Sequence, residues 1–314
     1  MSQKLRNWDC WMSKSWEQRR RLRVGEFEYL LDDDDLTAWI TVGTSKGARV
    51  YTLPERVDID GVTYQITSME IGAYGSEEEA NVEELYIPDC YEFFDEYNFD
   101  QSPLKTIHIG KGMQWYHYLT FSSAAKDVKV IIDPENPHIK MSDDGHMVLS
   151  KDGTELVYLI HDIEEIYVPE GVKSIFGWAI SCKQNLKHVH LPSSLESIAI
   201  DGIIQNRELE CIIIPEGVNR IGHQAFCGDT ALKMADLPST ITEIDGDTFM
   251  DDLQLARIIL RAPEVVKVNY IDYEDFPLNT CHLTVPKHLI PHYRKHPLWG
   301  WFKHIDSIEE TEHV

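Results

Sequence analysis

Apolar positions recur every 23 residues through the middle of this chain in three registers at once: Pro169, Pro192, Pro215 and Pro238; Ile175, Ile198, Ile221 and Ile244; Leu186, Leu209, Leu232 and Leu255. Three residues after each proline stands a further apolar residue, Val172, Leu195, Val218 or Ile241. Each period also holds a short run of strand character: Val189-His190-Leu191, Ile212-Ile213-Ile214, Ala235-Asp236-Leu237 and Ile258-Ile259-Leu260. Alternation along a strand turns Val189 and Leu191 to the core and His190 outward. One such unit has too little apolar surface to offset the ordering of its backbone, roughly 1–2 kcal/mol per residue, so neighbouring units must share a core. The pattern predicts a solenoid with one short strand per unit.

The ladder extends both ways. Upstream, Leu85-Tyr86-Ile87, Ile107-His108-Ile109 and Val130-Ile131-Ile132 keep spacings of 22 and 23; downstream, Cys281 to Pro286 adds a rung. With Ile166-Tyr167-Val168 these make nine strands, a parallel sheet about 38 Å long at roughly 4.8 Å per step. Val50 to Met69 alternates like paired strands around Asp60-Gly61 and would start the stack. The period breaks by 13 residues between Asp133 and Ile166, where Asn136-Pro137 and Ser150-Lys151-Asp152-Gly153 between apolar runs predict an inserted hairpin, at about 134–165. The expected fold class is therefore a β-rich (α/β) leucine-rich-repeat solenoid. Its expected divisions are an N-terminal basic amphipathic segment and cap (1–49), the solenoid (50–286) and a C-terminal cap (287–314), the caps helical or irregular.

At helical spacing Leu5, Trp8, Trp11, Met12 and Trp16 share one face, predicting an amphipathic helix. Residues 1–24 hold seven basic side chains against two acidic. Two readings follow: the helix covers the open end of the solenoid, or it makes a peripheral contact with a membrane surface or an acidic partner. At the other end Lys287 to His296 predicts a short helix stopped by Pro297, with Trp299, Trp301 and Phe302 closing the last rung. His288, His292 and His296 line one face of that helix, but no carboxylate or cysteine of suitable spacing joins them, and no metal is assigned.

Composition adds three constraints. Hydrophobic residues are 43% and charged residues 26%, enough to fill a core at this length. A net charge of −24 disfavours nucleic acid, whose phosphates require clustered Lys and Arg. The six cysteines lack paired spacing and read as reduced, mostly buried small residues. Asp32-Asp33-Asp34-Asp35 lacks the ligand spacing and glycine of a calcium loop and reads as a solvated turn. No transmembrane run is present, and no apolar stretch follows Met1, so the chain as given reads as cytoplasmic; a cell-surface or secreted location is the alternative if a leader precedes it. No phosphate loop, nucleophile elbow or zinc motif occurs, and neither catalytic residues nor a cofactor are assigned.

The repeat Pro215-Glu216-Gly217-Val218-Asn219-Arg220-Ile221-Gly222, followed by Ala225-Phe226 and Leu232, resembles the BspA-type leucine-rich repeat proteins, as do the Ser150 to Gly153 hairpin and the segment from Val285 to Phe302. The resemblance covers about Phe27 to Ile308. It implies a right-handed solenoid, no catalytic residues and, for secreted members, adhesion to host proteins or other cells. The bulky Phe176-Gly177-Trp178, Tyr91 to Phe94 and Met113 to Tyr116 depart from the usual small turns.

A solenoid offers partners its strand face, where one outward side chain per rung lines up with the next. The central row reads Tyr86, His108, Ile131, Tyr167, His190, Ile213, Asp236, Ile259 and Thr284; a second row, two residues earlier, includes Glu84, Glu165, His188, Cys211, Met234, Arg257 and His282. Tyr86, His108, Tyr167, His188, His190, Ile213, Asp236 and Arg257 are the candidate partner-binding residues. The expected function is a non-enzymatic scaffold for a protein or peptide. The alternative is an adhesion or carbohydrate-associated module in which exposed aromatic rings stack on sugars.

Overall fold

The computed structural model describes residues 19–69, 73–74, 81–92, 102–114, 128–268 and 279–308. The chain divides into two compact units, Met1–Ile139 and Lys140–Val314.

In the first unit, the strands Val50–Thr52, Glu84–Ile87, Thr106–Ile109 and Lys129–Ile132 form a parallel sheet in chain order. Leu85, Ile107 and Val130 are paired in register and buried, while Tyr86, His108 and Ile131 occupy the alternate positions. A separate five-stranded sheet holds Arg20–Val24, Phe27–Asp32, Thr37–Val42, Arg56–Ile59 and Val62–Met69. The hairpin at Asp60-Gly61 is as expected, but it joins this mixed sheet, and the parallel stack begins instead with Val50–Thr52.

The helix expected over Leu5 to Trp16 lies outside the described residues. The end of the basic segment is strand, and its charges face acidic neighbours: Arg20 pairs with Asp33 at 3.0 Å, Arg21 with Glu28 at 2.7 Å and Arg19 with Asp32 at 3.8 Å. The four-aspartate run is a turn whose Asp32 carboxylate accepts the backbone N–H groups of Asp34 and Asp35. Among the described residues no helix is long and apolar enough to cross a membrane.

In the second unit most coils carry more than the single strand expected. The outward strands are Glu165–Tyr167, His188–His190, Cys211–Ile213, Met234–Leu237, Arg257–Leu260 and His282–Val285. At the repeated isoleucine a second parallel ladder runs through Ser174–Ile175, Ser197–Ile198, Arg220–Ile221, Glu243–Ile244 and Lys267–Val268. Ile180–Ser181 and Ile203–Ile204 make a third. Two-residue strands carry little of the period-2 signature, which is why the isoleucine positions are visible in the spacing but not as strands.

The hairpin Met147–Ser150 with Glu155–Leu159 forms around Ser150 to Gly153. Its second strand pairs in parallel with Ser174–Ile175, Leu156 opposite Ile175, so the insertion supplies the first rung of the isoleucine ladder. One continuous core joins Met147 to Ile305 and contains Val189, Ile212 and Ile258 together. The outward strands nevertheless split into two hydrogen-bonded sheets between His190 and Cys211.

Coils also alternate in pairs. Glu170 accepts the N–H and hydroxyl of Ser193 at 3.0 and 3.1 Å, and Ser194 Oγ accepts the N–H of Gly171 at 2.9 Å. Two coils on, Glu216 holds Ser239 and Thr240 holds Gly217 in the same way. The Pro-Glu-Gly and Pro-Ser-Ser/Thr turns are thus complementary halves of a double repeat. At the bulky corner, Trp178 takes a left-handed conformation with φ of 64°, as do Asp201 and Gln224 in the following coils.

Close stacking of coils leaves no room at Gly222, where an added methyl would lie 2.4 Å from Ile200 N and 2.6 Å from Ala199 C in the preceding coil. Gly222→Ala is expected to lower stability by about 1–3 kcal/mol. An unchanged melting temperature would show that adjacent coils separate freely at this corner.

At the C-terminus Lys287–Leu289 is a 3-10 turn and Ile290–Lys295 an α-helix, as expected. Leu289, Tyr293, Trp299 and Phe302 are buried, but Trp301 is 43% exposed and does not close the rung. His296 Nδ1 accepts the N–H groups of Leu298 and Trp299 and so ties down the turn that follows the helix, a structural task for one of the three aligned histidines. His304–Ser307 then pairs in parallel with His282–Val285, a further rung that the sequence reading did not assign. Unlike the mostly buried set expected, Cys281 is buried but Cys90, Cys182, Cys211 and Cys227 are only partly covered, and Cys10 lies outside the described residues.

Candidate functional site

Parallel pairing places each outward side chain directly beside its counterpart in the next coil, so neighbours along the row interact before any partner arrives. In the first unit Tyr86 lies opposite His108, and their rings stack with centroids 4.0 Å apart and planes 3° from parallel. Glu84, on the strand of Tyr86, accepts from Tyr86 Oη at 2.8 Å and from His108 Nε2 at 2.9 Å.

The second unit repeats this arrangement. Tyr167 lies opposite His190, with ring centroids 4.2 Å apart and planes 5° from parallel. Glu165 Oε1 accepts from Tyr167 Oη at 3.0 Å and from His190 Nε2 at 2.8 Å. The same physics thus operates twice: two consecutive rungs bring an aromatic and an imidazole face to face, and one carboxylate on the earlier strand holds both polar tips. The hydrogen bonds from Tyr86, then His108, keep Glu84 below the usual carboxylate range, and those from His190, then Tyr167, do so for Glu165. The same bonds push the phenols of Tyr86 and Tyr167 up.

Of the candidate residues in the second unit, Tyr167 at 62% and Ile213 at 59% are the most exposed apolar side chains of the row, flanked by exposed His188 and His190. Asp236 is not available in the same way, because Arg261 grips it through two hydrogen bonds of 2.8 Å. Arg257 is partly covered. The row closes at Thr284, which is fully buried rather than outward. Beyond it, His282 stacks on His304 at 4.5 Å and is hydrogen-bonded to Asp306. The exposed portion of this face is therefore Tyr167, His188, His190 and Ile213, with Tyr86 and His108 forming the matching patch of the first unit.

The clamping role of Glu84 and Glu165 was not recognised from sequence, although the signal was present. Glu84-Leu85-Tyr86-Ile87-Pro88 and Glu165-Ile166-Tyr167-Val168-Pro169 are the same motif, each followed one rung later by an outward histidine. Among the described residues no group of three or more His, Cys, Asp or Glu side chains is arranged to hold a metal ion.

A family model for the BspA type leucine rich repeat region matches residues 58–142 and 155–277 in six copies. The chain is similar to the solved structure of the pneumococcal vaccine antigen PcpA at 16% identity and a TM-score of 0.43, covering 92% of this chain and 98% of that one. It is also similar to a leucine-rich repeat protein from Eubacterium ventriosum, at 16% identity and a TM-score of 0.44 over 79% of this chain and 84% of that one. A third similar structure is a leucine rich cell surface protein from Faecalibacterium prausnitzii, at 18% identity and a TM-score of 0.39 over 77% of this chain and 70% of that one. No curated protein sequence matches.

Proposed function

Since the chain belongs to the BspA-type leucine-rich repeat family, we propose that it is a non-enzymatic scaffold whose strand face docks a protein or peptide segment through Tyr167, His188, His190 and Ile213. The observation that carries this reading is the exposure of Tyr167 and Ile213 beside a stack already ordered by Glu165. A tyrosine held in one rotamer has little conformational entropy left to lose on binding, and large apolar side chains in such a setting are typical anchors of protein interfaces.

Sugar stacking fits this surface less well. A sugar platform needs open ring faces with polar groups free to meet hydroxyls, whereas His190 and Tyr167 cover one face of each other and both their polar tips are bound to Glu165. Ile213 adds only apolar surface.

The test is affinity capture from native extract, purification of the captured protein, and titration against wild type, Tyr167→Glu, His190→Glu and Lys173→Glu. Tyr167→Glu and His190→Glu should each weaken binding about tenfold or more while leaving the melting temperature nearly unchanged. Lys173→Glu, away from the strand face, should leave affinity intact. Undiminished binding by the first two variants would reject this face, and capture of a glycan instead of a protein would replace the proposed partner class.

A further inference from the structure

One position of the coil is buried in four consecutive turns of the second unit and changes chemistry along the stack: Lys183, Asn206, Asp229 and Asp252, spaced by 23 residues. A chain of hydrogen bonds links them. The N–H of Lys183 donates to Asn206 Oδ1 at 3.2 Å, that of Asn206 to Asp229 Oδ1 at 2.7 Å, and that of Asp229 to Asp252 Oδ1 at 2.7 Å. Asn206 has a second task, since its Nδ2 donates to the carbonyl of Ile180 at 3.1 Å.

The 23-residue correspondence sets Asp229 Oδ2 where Asn206 has its amide nitrogen, with the carbonyl of Ile203 in place of that of Ile180. For Asp252 the corresponding carbonyl is that of Phe226. An ionised carboxylate there would aim an acceptor at an acceptor in a fully buried site, with a second carboxylate one rung away, an arrangement of high cost. Both Oδ2 atoms lack a hydrogen-bond partner among the described residues.

We propose that Asp229 and Asp252 are neutral carboxylic acids in the folded protein, donating their carboxyl protons to the carbonyls of Ile203 and Phe226, so that these coils are strengthened as the medium becomes more acidic. The surroundings favour this form. Burial drives both carboxyls well above the ordinary aspartate range; contacts with Asn206 oppose it at Asp229, while at Asp252 the carboxylates of Asp229 and Asp251 add to it and the backbone N–H groups of Asp229 and Gly228 oppose it. Among the described residues Cys227 also interacts with the pair, its thiol pushed up to about 12 by burial and then by Asp251, Asp252, Asp201 and Asp229. The ammonium of Lys183 donates to the carbonyl of Ile160 at 3.0 Å.

The sign of the pH effect follows from linkage. In the unfolded chain both carboxyls titrate near the ordinary value of about 3.9. Between that value and the raised folded-state one, the folded protein holds more protons than the unfolded, so stability from this pair falls as pH rises. It is fully present below about pH 4 and is lost progressively above it. Glu84, Glu165 and Glu170 are shifted down and act in the opposite sense as pH falls, so the contribution is isolated by comparing variants at each pH.

Melting temperatures of wild type, Asp229→Asn, Asp252→Asn and the double variant would be compared from pH 4 to pH 8. Asparagine supplies the donor permanently, as Asn206 already does. Each single variant is expected to melt about 2–6 °C above wild type at pH 8, with the gain shrinking towards pH 4. Infrared spectra of the wild type at neutral pH should contain a protonated-carboxyl band that the double variant lacks. Asp229→Leu, which cannot accept the N–H of Asn206, should melt lower at every pH. A stability difference independent of pH, asparagine variants that melt lower at pH 8, or absence of the infrared band would each overturn the proposal.

Discussion

Phe226→Ala is expected to destabilise the protein by about 3–5 kcal/mol, the range for emptying a fully buried aromatic site. Phe226 has no exposed surface and stacks on Phe249 in the next coil, with ring centroids 5.4 Å apart and planes 12° from parallel. The corresponding positions in the two earlier coils are Ile180 and Ile203, also buried, so this wall of the core changes from isoleucine to phenylalanine along the stack. Truncation removes the ring of Phe226 and the packing partner of Phe249 together. Because each coil is stable only against its neighbours, the damage should concentrate locally. Urea unfolding should report the lost free energy, and hydrogen exchange should show the largest loss of protection between about Ile203 and Phe249. Phe226→Leu, which keeps most of the volume, should lose much less. A loss below about 1 kcal/mol for the alanine variant would contradict a shared close-packed core.

The second large effect is expected at the C-terminal cap, where two tryptophans should behave oppositely. Trp299 is 2% exposed, donates from Nε1 to the carbonyl of Val266 at 2.7 Å, and meets Tyr293 edge-on with ring centroids 6.0 Å apart. Tyr293 Oη in turn accepts the N–H of Val266 at 3.0 Å, so both polar groups of that residue are met by the cap. Trp299→Ala should cost about 3–5 kcal/mol, because it opens a cavity beside Ile244, Phe249 and Ile258 and leaves the Val266 carbonyl without its donor. Trp301→Ala, at a side chain 43% exposed, should stay within about 0.5 kcal/mol. Equal losses at the two positions, measured by the same unfolding titration, would contradict this division of labour.

Much of this structure was legible in the residue pattern, for a physical reason. A repeated coil must bury the same positions each time, so Ile175, Ile198, Ile221 and Ile244 declare themselves by spacing alone. The hairpin around Ser150 to Gly153 was legible too, because its turn residues and flanking apolar runs are local signals. Its second strand's place as the first rung of the isoleucine ladder was not, since parallel pairing with Ser174–Ile175 is not written locally. Trp299 and Trp301 are chemically identical in sequence, and only the chain path after His296 separates the buried one from the exposed one. The spacing gives Thr284 an outward position, yet it is fully buried, and a further strand, His304–Ser307, pairs beside it.

The candidate site follows the same division. Alternation placed Tyr86, His108, Tyr167 and His190 on the outer row, correctly for all four. What alternation does not carry is contact between rungs: register put each tyrosine against the next histidine and let one glutamate bind both. The amino-acid sequence by itself determined the repeat, its inward residues and the identity of the outward row, because burial in a periodic coil is a local and recurrent requirement. Tertiary structure alone decided which outward residues remain open, which are tied to a neighbour like Asp236 to Arg261, and which carboxyls are sealed from water, because those outcomes depend on how residues many positions apart are brought side by side.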